Sequence, residues 1–289
     1  VGMCTIVQTE LKKAFSSFSF LFSLLLGAVT CILQSLWFYS HVYRSNLSML
    51  AYVCGLSNED PKYGEWYATC LLEGWLGCES YSSYKSFFLL VLPLIAVIPY
   101  GISLLQEWRS GYVMQMLVRC GRKQYITAKS IAVFFSGGIV IAVPMLVSLI
   151  VNLCYLPATG IDMLSMQGQL IDRNMWVNLY YDSPIVYALC YTIVLFLYGG
   201  IYAVSSVICT GWLDNRFTIW IFPLMLHCML SYGVYNLFPE ISAYNPAIFL
   251  DPGQPVSSNM TLGIVVTTVV ILTVEGMLLW LSNRRRDFL

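Results

Sequence analysis

Charge is scarce in this chain. Only 10% of its 289 residues are Asp, Glu, Lys or Arg, against roughly a quarter in ordinary soluble proteins. Fifteen basic residues offset fifteen acidic ones, so there is no basic field of the kind that neutralises phosphates along a surface, and no nucleic-acid partner is expected. Histidine is nearly missing too, with His41 and His227 alone. No HExxH and no GxSxG occurs, which removes the usual zinc-hydrolase and serine-hydrolase constellations. No Cys-x-x-Cys or Cys/His ligand spacing is present, so a zinc site is not expected. The phosphate-cradling pattern GxxxxGK[ST] is absent as well, and with it the usual means of binding ATP. By these absences the chain is not an enzyme on its own, and any energy it uses comes from elsewhere.

Apolar residues, at 58%, are what the chain has in plenty. Six segments are long and apolar enough for the roughly 20 helical residues that a bilayer requires, at about 15–39, 87–105, 130–153, 185–209, 217–237 and 262–281. The expected fold is therefore an all-α integral membrane domain occupying 1–289, with an outer loop at 41–86 and a charged loop at 106–129. Lys12, Lys13, Arg109, Arg119, Arg122, Lys123, Lys129, Arg216, Arg284, Arg285 and Arg286 all fall on one side of such a threading. Arg44, Lys62, Lys85 and Arg173 fall on the other. The positive-inside tendency then puts both termini in the cytoplasm.

Met3 to Ser17, carrying Glu10, Lys12 and Lys13, reads as an interfacial helix leading into the first span. A signal peptide shares the basic start and apolar run, but the run from Phe15 exceeds the usual 7–15-residue core and His41 to Asn46 offers no small-residue cleavage pattern. The outer loop 41–86 contains Trp66, Trp75 and many tyrosines, suited to an ordered lid or to the headgroup level. Cys54, Cys70 and Cys78 lie in it, and an extracytoplasmic pair of them is able to oxidise. Pro93 and Pro99 predict kinks in the second span; Gly137, Gly138 and Pro144 predict close approach and bending in the third. A short helix on the membrane face is expected within Tyr155 to Pro184, and the prolines of Phe238 to Met260 favour an irregular or re-entrant segment. Glu275, well inside the sixth span, is either a neutral packing contact or part of a transport path. His227 and Ser231, four residues apart, share one helix face.

The segment from Gln106 to Lys129 carries the most information. Val113, Met116, Leu117 and Cys120 fall on one helical face, with Gln115, Arg119 and Arg122 opposite. Glu107 before the helix and Arg119 in its last turn suit the helix dipole, and Gly121 stands where a left-handed cap is wanted. Such a helix, too short to span, lies against another protein or the membrane surface.

Glu107, Gly111, Gly121, Arg122 and Lys129, in this order between the second and third spans, resemble the coupling region of the membrane subunit of type-2 ATP-binding-cassette (ABC) exporters. The resemblance extends by topology over the whole chain. It implies a permease in a bacterial cell membrane, a dimer with an identical or paralogous second copy, and ABC ATPase subunits as partners that hold the ATP and Mg; this chain itself has no cofactor. It further implies that Glu107, Tyr112, Val113, Met116, Leu117 and Cys120 dock on the ATPase, with Arg119, Arg122 and Lys123 as rim charges. A substrate path between the second and fifth helices of the two copies would draw on Pro93, Pro99, His227, Ser231 and Glu275. Apolar, aromatic walls with few fixed charges suit an amphiphilic cargo such as an antimicrobial peptide, a drug or a lipid-like molecule. The long, tyrosine-rich outer loop departs from the smaller members of that family. The reading from another class is a membrane ligand-binding or immunity protein that transports nothing.

Overall fold

A computed structural model describes residues 2–48, 69–79, 82–158, 175–237, 244–252 and 260–285. Cys54, Trp66, Lys62, Arg173, Arg286 and most of the expected irregular segment at 238–260 lie outside them. The described residues are all helical or irregular, with no strand. In chain order the helices are α1 (Met3–Phe15), α2 (Phe18–Phe38), α3 (Leu71–Gly74), α4 (Tyr84–Val97), α5 (Ser103–Arg109), α6 (Tyr112–Arg119), α7 (Arg122–Leu153), α8 (Val177–Asp182), α9 (Pro184–Cys209), α10 (Arg216–Cys228), α11 (Tyr235–Leu237), α12 (Pro246–Phe249) and α13 (Met260–Arg285).

Four helical runs are long and apolar enough to cross a bilayer: Phe18–Ser48, Arg122–Leu153, Pro184–Cys209 and Thr261–Leu281. This is the composition and length of a multi-pass membrane protein. The segment expected as a second span, 87–105, is not one helix. It breaks after Val97, at a turn over Ile98–Ile102 that contains Pro99, and resumes as α5. Proline has no N–H to give and crowds the preceding turn. The chain closes the break through Gly101 N–H to Val97 O at 2.9 Å. Pro93, by contrast, is accommodated inside α4. The segment expected at 217–237 is helical throughout, but passes from α10 through a π-helical stretch, Met229–Val234, into α11.

The first boundary moves as well. Ser16 and Ser17 separate α1 from α2, and the Ser17 hydroxyl accepts the Phe20 N–H at 3.2 Å as an N-cap. In α1, Ile6, Glu10 and Ala14 are buried at four-residue spacing, so this helix lays one face along α7.

The packing centre is the crossing of α7 and α9. A Cβ added to Gly137 would sit 2.4 Å from the Ala203 Cβ and 2.9 Å from the Ala96 carbonyl oxygen. Gly200 likewise receives the Phe134 ring, and Gly27 on α2 receives Pro144. Small residues permit this approach, in which dispersion replaces the hydrophobic driving force that lipid does not supply. The close contact expected of Gly137 and Pro144 is thus observed.

At one end, residues 69–79 form a plug. Leu71, Leu72, Trp75 and Leu76 are completely buried. Gln34 Nε2 donates to Gly74 O at 2.9 Å, Trp75 Nε1 to Met145 O at 3.2 Å, and Leu76 N–H to Ser148 Oγ at 3.2 Å. Trp75 therefore belongs to the core, not to an aromatic belt. Cys70 and Cys78 in this plug are buried thiols. The short helix expected within Tyr155–Pro184 exists as α8, but Val177 and Tyr180 turn into the core instead of resting on a membrane face.

Candidate functional site

The opposite end carries a buried cluster of charge. Lys129, in the second turn of α7, is fully buried. Its Nζ donates to Glu10 Oε2 at 2.9 Å, to the Tyr100 hydroxyl at 2.9 Å and to Glu107 Oε2 at 2.7 Å. An ammonium has three donors, so every one is used. The Tyr100 hydroxyl donates onward to Glu10 Oε2 at 2.9 Å, and the Tyr125 hydroxyl donates to Glu107 Oε2. Lys13 completes the set: its Nζ lies 2.7 Å from Glu10 Oε1 and 3.7 Å from Glu107 Oε1. It also donates to the Tyr112 hydroxyl at 3.1 Å and stands over that ring. Two carboxylates face two ammonium groups, which neutralises the cluster and makes its burial tolerable.

Five separate elements supply the members. Glu10 and Lys13 project from one face of α1, three residues apart. The Pro99 turn delivers Tyr100, α5 delivers Glu107, α6 delivers Tyr112, and α7 delivers Tyr125 and Lys129. Burial alone would push the Glu10 carboxyl up; the ammonium groups of Lys129 and Lys13 override it and hold the pKa below its ordinary value. For Lys13, burial acts downward, but the hydrogen bonds to Glu10 and Tyr112 dominate and the pKa is raised.

The backbone around α6 differs from expectation in one respect. Gly111, not Gly121, is the left-handed residue, with φ 73°, and it reverses the chain between α5 and α6 at no steric cost. Gly121 is extended, the residue before α7. Glu107 does not serve the dipole of α6; it lies in α5, and its carboxylate is committed to the cluster.

The residues expected to meet an external ATPase divide between two faces. Val113 and Cys120 are buried in the protein's own core, and Met116 and Leu117 are half-buried against it. Tyr112 is held by Lys13. The apolar face read from the sequence therefore attaches α6 to its own body. The outward face holds Met114, 57% exposed, and Val118, 90% exposed, with Gln115 and Arg119 beside them and Lys123 exposed just beyond. Arg122 is half-buried. Arg109 Nη2 donates to Asp214 O, which ties α5 to the turn between α9 and α10, where Trp212 is 45% exposed.

The residues expected along a substrate path are likewise split. Pro93 and Pro99 are buried in α4 and the turn after it, and α4 packs directly on α10 within the one chain. His227 is buried, its Nδ1 2.9 Å from the Tyr202 hydroxyl, and Ser231 spends its hydroxyl on His227 O at 2.8 Å. Of these residues, Glu275 alone lines a cavity among the described residues. That cavity, of about 620 Å³, lies between α9, α10 and α13, with Tyr202 on its floor.

No protein-family model matches the chain, and comparison with curated proteins gives no match.

Proposed function

We propose that this protein is the permease subunit of an ATP-driven exporter of the type-2 ABC class, moving an amphiphilic cargo with ATP hydrolysed by a separate subunit. In this reading the chain crosses the membrane six times. The runs at α4–α5 and α10–α11 join the four long helices, and both termini, α6 and the charge cluster face the cytoplasm, as the basic residues favour. The observation that carries it is α6 itself: a short helix sealed to the body on one side, with an unpartnered apolar pair, Met114 and Val118, on the other. Arg119 and Lys123 at its rim suit encounter with an acidic groove more than they suit affinity. The cluster supports coupling, because a push on α6 reaches α1 and α7 through side chains that have no spare partners.

The test is the double variant Met114→Asp/Val118→Asp, assayed with whichever phosphate-loop ATPase co-purifies with the unaltered chain. Expected are loss of co-purification and of nucleotide-dependent flux in proteoliposomes, with insertion and monodisperse elution unchanged. Retention of the complex sinks the docking assignment. The orientation is tested separately with Val118→Cys in a background where Cys4, Cys54 and Cys154 are changed to Ser, since Cys4 and Cys154 are exposed while Cys120 is buried and unsuited to labelling. An impermeant maleimide is expected to react only after permeabilisation, and reaction on intact cells sinks the topology.

A further inference from the structure

The cavity between α9, α10 and α13 has a volume of about 620 Å³, within the range of sites that enclose a drug-sized molecule. Both α10 and α13 pack against α9, leaving a wedge between them walled by residues such as Phe222, Leu226, Val270 and Val274. One carboxylate faces it. Glu275 is 8% exposed, and among the described residues no donor or cation meets it.

The other polar groups of the wall are already engaged, apart from the exposed Trp212 and Tyr244. The Tyr198 hydroxyl bridges to Thr267 and Thr268 at 3.2 and 3.0 Å, and the Tyr202 hydroxyl meets His227. Ser205 donates to Tyr202 O at 2.8 Å and Thr267 to Gly263 O at 2.7 Å. No lysine, arginine or histidine lines the space. A sugar or peptide backbone would find almost nothing to bond. A lone carboxylate offers far too few oxygens for calcium or magnesium, which require about six. An apolar body with one positive charge satisfies the whole wall, since it fills the wedge and supplies the counter-charge a carboxylate at this depth requires.

We propose that this cavity binds a monovalent organic cation with a bulky apolar body, a lipophilic amine or quaternary onium, whose charge pairs with Glu275. Under the transport reading this names the chemistry of the cargo. Binding itself needs no ATPase, so the two readings fail separately.

The test uses the full chain purified in a neutral maltoside detergent and tritiated tetraphenylphosphonium as probe, read by scintillation proximity. Saturable binding at one site per chain is expected. Glu275→Gln is expected to weaken it at least 10-fold, Glu275→Asp to restore it to within a few-fold, and Val270→Trp, which fills the wedge, to remove it. On the unaltered protein, methyltriphenylphosphonium is expected to compete and the near-isosteric but neutral triphenylphosphine oxide is not. This second arm decides the matter even where Glu275→Gln fails to fold. Displacement by phosphatidylethanolamine assigns the natural occupant to membrane amines, and its failure to displace assigns a free cation. Absence of saturable binding, equal competition by the neutral compound, or full affinity in a folded Glu275→Gln protein overturns the proposal.

Discussion

Lys129→Met removes the one ammonium that holds three elements together while keeping the length and apolar stem of the side chain. In the unaltered protein Lys129 serves Glu10, Glu107 and Tyr100. Without it, Glu10, which is fully buried, retains only Lys13 and the Tyr100 hydroxyl. Glu107 retains the Tyr125 hydroxyl and a more distant Lys13. Removing one partner of a buried ion pair costs about 3–5 kcal/mol. The low end is expected here, because Lys13 still screens both carboxylates. For a chain of this size that is a fall in thermal midpoint on the order of 10 °C, measurable on detergent-purified protein by the loss of monodisperse elution after heating. Lys129→Met/Glu10→Gln restores charge balance and is expected to recover about 1–2 kcal/mol of the loss, a coupling typical of groups in one network. Unchanged stability in Lys129→Met, or strictly additive effects in the double variant, refutes the cluster as a clamp.

Acid titration should report on the same cluster. Glu10 has a folded pKa below its ordinary 4.5, so its stabilisation is present above that value and is lost as pH falls through the lower folded one. Thermal midpoints measured downward from pH 5 are expected to fall, and Glu10→Gln to flatten that dependence; an unaltered slope counts against it. Glu73 has the opposite sign: burial raises its carboxyl to about 7 against a backbone hydrogen bond at Cys70. The penalty grows from pH 4.5 to about 7 and then stays constant, so Glu73→Gln is expected to stabilise by up to about 3 kcal/mol at pH 8 and hardly at all at pH 4.5. An equal effect at both pH values excludes this cause. Gly137→Ala is expected to destabilise by about 1–3 kcal/mol through collision with Ala203, whereas Gly276→Ala, with open space around it, is not. Heat denaturation of the two variants side by side separates packing from helix propensity.

The helical class and the long apolar runs were legible in the sequence because length and hydropathy report directly on a bilayer-spanning helix. The breaks were less so. Pro93 and Pro99 look alike in the sequence, yet one is absorbed into α4 and the other ends it, since what decides is whether neighbours supply the missing bonds: Ser206 Oγ reaches Gly101 O at 3.2 Å just beyond Pro99. The amphipathic character of α6 was readable, but periodicity says only that a face is apolar, not which body it meets. That α6 also carries an outward apolar pair was readable in Met114 and Val118, at four-residue spacing beside Gln115 and Arg119. The charge cluster was visible only in fragments. Glu10, Lys13, Glu107 and Lys129 stand up to 119 residues apart, and nothing local announces that they meet.

The 32-residue helix α7 runs from Lys129 in its second turn to Asn152 near its end, where Ser148 and Met145 receive the plug. At 1.5 Å per residue it is a beam of about 48 Å. A tilt of about 5° about Lys129 moves Ser148, about 28 Å further along, through about 2.5 Å, enough to disrupt the hydrogen bonds pinning Trp75 and Leu76 in place. The latch at one extremity and the stopper at the other share one helix, and a shift of the first is expected to loosen the second.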